Sequence, residues 1–155
     1  MNKIESRKAG LLNEMHLTLP AISQNEAVAR ATVAAFCAQA EPDTAELADI
    51  KCAVSEAVTN SIVHAYRHKK GSVYITVSLF ADRTVRIAVE DKGCGIDDIA
   101  RAREPLFTTD AAGERSGMGF TVMENFMDKL YVSSGQGRGT TVVLVKHLGR
   151  SRGEE

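Results

Sequence analysis

Glu56 and Asn60 stand four residues apart, and His64 follows at the next step of four. On a helix this spacing puts all three on one face. A carboxylate, a carboxamide and an imidazole in a line can coordinate a divalent cation or steer a nucleophile. A second segment runs Asp91-Lys92-Gly93-Cys94-Gly95-Ile96. A carboxylate at a strand end can accept a hydrogen bond from an exocyclic amine. Gly93 and Gly95 are expected to let the backbone turn with positive φ and approach a ligand closely. Cys94 reads as a small filler in that loop. A third segment, Gly117-Met118-Gly119-Phe120, opens a helix, where exposed backbone N–H groups form an anion site. Thr108, Thr109, Arg115 and Ser116 precede it and offer hydroxyls and one guanidinium. Thr140, at the start of the last strand, offers a hydroxyl to back up Asp91 at a base ring. Taken singly, each feature is also what a solvated helix face, a strand-end turn or a hinge looks like.

The elements that must position these residues follow from periodicity and punctuation. Met15 to Leu19 alternates apolar and polar, and Pro20 stops it, so a short edge strand is expected. Ser23-Gln24-Asn25-Glu26 has the form of a capping box, opening a helix to about Gln39 with Val28, Ala31, Ala35 and Phe36 on its buried side. Pro42-Asp43-Thr44-Ala45-Glu46 opens a second helix, again with capping chemistry, running to about Arg67, with an apolar stripe of Leu47, Ile50, Val54, Val58, Ile62 and Ala65. The Glu56/Asn60 face points away from that stripe. Val73 to Leu79 and Val85 to Val89 alternate about an Ala81-Asp82 turn, which is a β-hairpin. Its partly polar second face suggests a sheet covered on one side. Asp97 to Arg103 reads as a short helix and Pro105 to Gly117 as a long loop of the length that functional lids have. Met118 to Met127 reads as a helix, and Leu130–Ser133 and Thr140–Lys146 as two further strands. Runs of strands and runs of helices are segregated, so the fold class is α+β: a two-layer sandwich with helices on one face of a mixed, mostly antiparallel sheet.

Composition narrows the function classes. The chain has 155 residues, enough for one domain with its own core. A net charge of −1 and no basic stripe argue against direct nucleic-acid binding. The run Arg67-His68-Lys69-Lys70 reads as a solvated loop. Three cysteines at spacings that match no zinc pattern read as free thiols in a reducing compartment. No apolar run approaches the roughly 20 residues of a membrane helix, and the N-terminus has no signal-peptide core. The expected location is cytoplasmic.

The order of the chemical segments resembles the ATP site of the gyrase, chaperone and histidine-kinase superfamily, the Bergerat-type ATP-binding fold. Asn13-Glu14-Met15-His16, V-S-E-A-V-T-N, P-L-F-T-T, E-R-S-G-M-G-F and V-M-E-N-F-M-D closely resemble the sporulation anti-sigma F factor family over about residues 13–147. The resemblance implies a homodimeric protein serine kinase that uses ATP and Mg²⁺, holds the sporulation sigma factor F inactive and phosphorylates an anti-anti-sigma partner on serine. It implies that Asn60 ligates Mg²⁺ and that Glu56 orients or deprotonates the partner's serine. Asp91 would bind the adenine amine with Thr140 nearby, and Gly93 and Gly95 would shape the base pocket. Gly117 and Gly119, with Thr108 and Ser116, would line the phosphates, and Arg115 would contact the γ-phosphate. Arg30 would contact both protein partners; its plain alternative is an i, i+4 ion pair with Glu26.

The resemblance divides the chain into a flexible extension over 1–12, an ATP-binding serine-kinase and anti-sigma domain over 13–147, and a flexible tail over 148–155. Two departures stand out: the extra N-terminal residues, and the loop centre Asp110-Ala111-Ala112-Gly113. The alternatives are a stress-response type of anti-sigma kinase, a non-catalytic ATP-dependent binding switch, and the catalytic half of a histidine kinase. The last is disfavoured because no upstream segment has room for a phosphoacceptor domain, and His16 sits on an expected strand.

Overall fold

The computed structural model describes residues 10–104 and 119–149. Five strands form one sheet: β1 (Leu11–Pro20), β2 (Ser72–Phe80), β3 (Thr84–Asp91), β4 (Lys129–Ser134) and β5 (Thr140–His147). Their order is β1-β2-β3-β5-β4, and all four pairings are antiparallel, so the expected mostly antiparallel sheet is antiparallel throughout, with one register shift in β1 between Leu11 and Asn13. The helices are α1 (Gln24–Cys37), α2 (Thr44–Thr59), the short α3 (Ile99–Ala102) and α4 (Gly119–Phe126).

Alternation builds the core. Ile75, Val77 and Leu79 of β2 pair with Val89, Ile87 and Val85 of β3. Val89 and Ile87 pair in turn with Val142 and Leu144 of β5. This face is buried under Ala29 and Val33 of α1, Ile50, Val54 and Val58 of α2, and Met123 of α4. The opposite face of the same strands carries Tyr74, Thr76, Arg86 and Glu90, as a sheet covered on one side requires.

The two expected helix caps fare differently. Asp43 accepts from Glu46 N at 2.7 Å, and Glu46 Oε1 accepts from Asp43 N at 3.0 Å, so α2 opens with a complete box. Ser23 makes no side-chain cap, because its own backbone is already helical at φ −57° and ψ −34°. Glu26 instead accepts from Ser55 Oγ and pairs with Arg30, tying α1 to α2. The expected buried side of α1 is also wrong: Val28, Ala31 and Ala35 are exposed, and Ala29, Val33 and Cys37 are buried, with Phe36 half-buried. Replacing Asp43 with Ala is expected to cost about 1 kcal/mol by denaturant unfolding; the same change at Ser23 should cost far less.

Three smaller differences concern boundaries. Leu11 pairs with Phe80, and Leu148 is buried with its N–H on the Arg83 carbonyl, so the packed body exceeds 13–147 at both ends. The hairpin turn needs a third residue, Arg83, which is left-handed at φ 64°. All three cysteines are free. Burial pushes the Cys37 thiol up to about 12. Alkylation of the native protein near neutral pH should therefore label the exposed Cys52 and Cys94 and spare Cys37, and comparable rates at all three would contradict the packing of α1.

Candidate functional site

α2 does not continue as an α-helix to its expected end. From Asn60 to Ala65 it widens into a π segment, in which the Tyr66 N–H reaches back five residues to Ser61 O at 3.0 Å. Such segments recur at functional sites. Glu56 and Asn60 keep their shared face, but the wider turn takes His64 off the expected i+4 line. Ser61 is turned inward and is 3% exposed.

Gly119, the first residue of α4, closes on that face. A Cβ there would lie 3.2 Å from Asn60 Oδ1 and 3.3 Å from Glu56 Oε2. A side chain would crowd both groups, so Gly119 keeps the start of α4 close to two hard oxygen donors. Three residues from two separate parts of the sequence thus meet at one point.

Asp91 ends β3 and is 5% exposed. Its Oδ1 accepts from Gly93 N at 3.0 Å and from Thr140 N at 3.2 Å, and its Oδ2 accepts from Ser61 Oγ at 3.1 Å. Burial raises its pKa above the ordinary carboxylate value, and the bonds from Gly93, Ser61 and Thr140 oppose that rise. A carboxylate offers about four lone-pair sites. Three are used, so the remaining acceptor capacity lies on Oδ2. The Thr140 hydroxyl meets Ser134 Oγ at 2.8 Å, and Ser134 Oγ also accepts from Ile96 N at 2.7 Å. Asp91, Thr140 and the glycine loop therefore form one bonded unit.

Of the two loop glycines, Gly95 has the expected positive φ and Gly93 does not. Only Gly95 is left-handed, at φ 78°, and a Cβ there would run into the Gly135 carbonyl. Gly93 is not left-handed; a Cβ there would come within 2.5 Å of Ala65 O, where the loop rests on the π segment. The loop is held by the protein itself. Tyr66 completes the support: its hydroxyl accepts from Lys92 N and donates to Ser72 O, each at 2.7 Å.

Thr108, Arg115, Ser116 and Gly117 lie outside the described residues. Arg30 is not part of the Asp91 or Gly119 clusters. It makes the plain i, i+4 pair with Glu26 at 3.3 Å and lines a groove with Ser55, Thr59 and Ile62 between α1 and α2. Ser61, Tyr66 and Ser134 were not singled out from the sequence. The signal that could have found one of them is Ser61's place on the apolar stripe of α2, seven residues after Val54.

The donor set suits a nucleotide with a hard cation. Among the described residues no group of three or more His, Cys, Asp and Glu could hold a metal by itself. Mg²⁺ does not need one: it is held by one or two protein oxygens, with phosphates and water for the rest. Asn60 Oδ1, next to Gly119, is such an oxygen, and the Glu56 carboxylate lies near the same glycine.

Residues 19–146 match the histidine kinase-like ATPase domain family. The chain is 54% identical over 141 residues to the anti-sigma F factor of Bacillus subtilis, covering 90% of this chain and 96% of that protein. It is 52% identical over 140 residues to the anti-sigma F factor of Geobacillus kaustophilus, with the same coverage of each. Among solved structures it is similar to the RsbU and RsbW domains of a Mycobacterium tuberculosis protein, with a TM-score of 0.66 and 25% identity over 90% of this chain and 34% of that one. The mycobacterial sensor histidine kinase MprB, at 14% identity and a TM-score of 0.54 over 85% of this chain and 97% of that one, shares the fold. Among the described residues no helix is long and apolar enough to cross a membrane.

Proposed function

The chain belongs to the anti-sigma F factor family of histidine kinase-like ATPase domains, and on that premise we propose that it binds and inhibits the sporulation sigma factor F and phosphorylates an anti-anti-sigma protein on serine. The observation that carries this reading is the 54% identity over 141 residues, which spans every described site residue. The protein acts as a cytoplasmic homodimer, and Arg30 contacts the protein partners.

ATP with Mg²⁺ supplies the transferable phosphoryl group and screens its charge. The free acceptor position of Asp91 takes the adenine amine, and Thr140 supports the ring edge. Gly93 and Gly95 hold the loop that shapes this pocket. Asn60 provides the oxygen ligand for the cation. Gly119 brings the backbone of α4 to the phosphates, and Gly117, Ser116 and Thr108 are the further residues assigned to bind them. Glu56 takes the proton of the partner's serine hydroxyl while that oxygen bonds to the γ-phosphorus and ADP leaves. Arg115 offsets the charge that develops there.

The binding half of this reading is tested by pull-down. The immobilised protein, loaded with ATP and Mg²⁺, should retain purified sigma factor F and not an unrelated sigma factor. Equal recovery of both would sink it. Arg30→Ala should weaken retention and leave ATP affinity as it is.

A further inference from the structure

Lys146 is a cation on the covered face of the sheet. It follows Val142 and Leu144 along β5 by steps of two and is 7% exposed. Its ammonium donates to the carbonyl of Phe126, the last residue of α4, at 2.7 Å. It also lies 3.3 Å from Asp49 Oδ2 on α2. Lysine is rarely buried to this degree unless paired. An apolar residue of similar volume stabilises a core at least as well as a buried ion pair, so packing alone does not call for Lys146.

The placement of its partners suggests a use. Asp49 precedes Glu56 by seven residues and Asn60 by eleven, so all three lie on one face of α2. α4 packs on α2. Its last residue meets Lys146 beside Asp49, and its first residue, Gly119, meets Glu56 and Asn60. α4 therefore runs antiparallel along this face, tied at one end by an ion pair and ending at the site at the other. An ammonium at the C-terminal carbonyl also suits the helix dipole. A slip of α4 by one turn, about 5.4 Å, would carry Gly119 out of hydrogen-bonding range of anything held at Asn60.

We propose that Lys146 is a positioning residue for phosphoryl transfer: through Asp49 and the Phe126 carbonyl it fixes the register of α4 on α2, and so the place of Gly119 at the phosphates. The proposal rests on the ATP reading above. It makes the Lys146–Asp49 tie matter to the phosphates and not to the base, because Asp91 and its donors touch neither residue.

Calorimetric titration of the full chain with ATP and with adenosine separates the two, at a temperature where every variant is folded. Lys146→Met should weaken ATP binding about tenfold or more and leave adenosine binding within about twofold of wild type. Asp49→Ala, which leaves Lys146 on the Phe126 carbonyl, should give the same selective loss at smaller size and covers the case in which Lys146→Met does not fold. Wild-type ATP affinity in folded Asp49→Ala, or equal losses for ATP and adenosine in either variant, overturns the proposal. A wild-type protein that binds ATP no better than adenosine defeats the underlying ATP reading, and the positioning role with it.

Discussion

Asp91→Asn should lower ATP affinity by about ten- to a hundredfold and leave the protein as stable as wild type or more so. The first half follows from where the acceptor capacity lies. Gly93 N and Thr140 N both point at Oδ1, so an amide at this position must put its oxygen there and its nitrogen on the Oδ2 side. Ser61 can rotate to accept from that nitrogen, so the buried group stays satisfied. The one acceptor site left for an adenine amine becomes a donor. Loss of a hydrogen bond to a charged acceptor is worth about 1.5–3 kcal/mol, which is the stated range in affinity.

The second half follows from the raised pKa of Asp91. Between its ordinary value of 3.8 and its higher folded value, the native state holds a proton that the unfolded state has lost. Stability from this group therefore falls as pH rises through that window, and stays lower above it. At neutral pH wild type carries the cost of a buried carboxylate, and the amide does not. Titration calorimetry at neutral pH and denaturant unfolding on both sides of the window check the two halves. Unchanged ATP affinity would remove Asp91 from the base pocket, and a large loss of stability would contradict the buried-carboxylate account.

Glu56→Gln should separate binding from transfer. The amide keeps the size of the side chain and its packing against Gly119, so ATP affinity should stay within about twofold of wild type. It cannot take a proton. Removing a positioned general base typically costs about 10²–10⁴ in rate, and that loss should appear in single-turnover transfer to the partner protein. Normal transfer by the variant would mean that Glu56 only orients the serine hydroxyl or does not meet it.

The strands were legible because alternation over Val73 to Leu79 and Val85 to Val89 admits one register and one buried face. The face of α1 was not, because Ala27, Val28, Ala29, Ala31, Val33, Ala34 and Ala35 leave small apolar residues on every side of the helix. The cap at Asp43 was legible and that at Ser23 was not. The motif is the same in both, but Glu26 has a competing partner in Ser55 that only the tertiary fold provides. At the site, Glu56, Asn60, Asp91 and Thr140 could be found from residue type and spacing. Ser61 falls on the apolar stripe of α2, seven residues after Val54, so its burial was legible, but its bond to Asp91 was not, because only the tertiary fold brings the two together. Gly93 was singled out for the wrong reason: its missing side chain makes room for the Ala65 carbonyl.

The central claim is that one pocket both binds ATP and passes its phosphate to a protein serine. The direct measurement is mass spectrometry of a purified anti-anti-sigma protein after incubation with this chain, ATP and Mg²⁺. The account predicts a single phosphoserine on the partner, formed about five- to fiftyfold more slowly when Asp91→Asn is used at an ATP concentration near the wild-type dissociation constant. A partner that stays unmodified while the protein demonstrably binds ATP would contradict it, and would leave a nucleotide-dependent binding switch in place of a kinase.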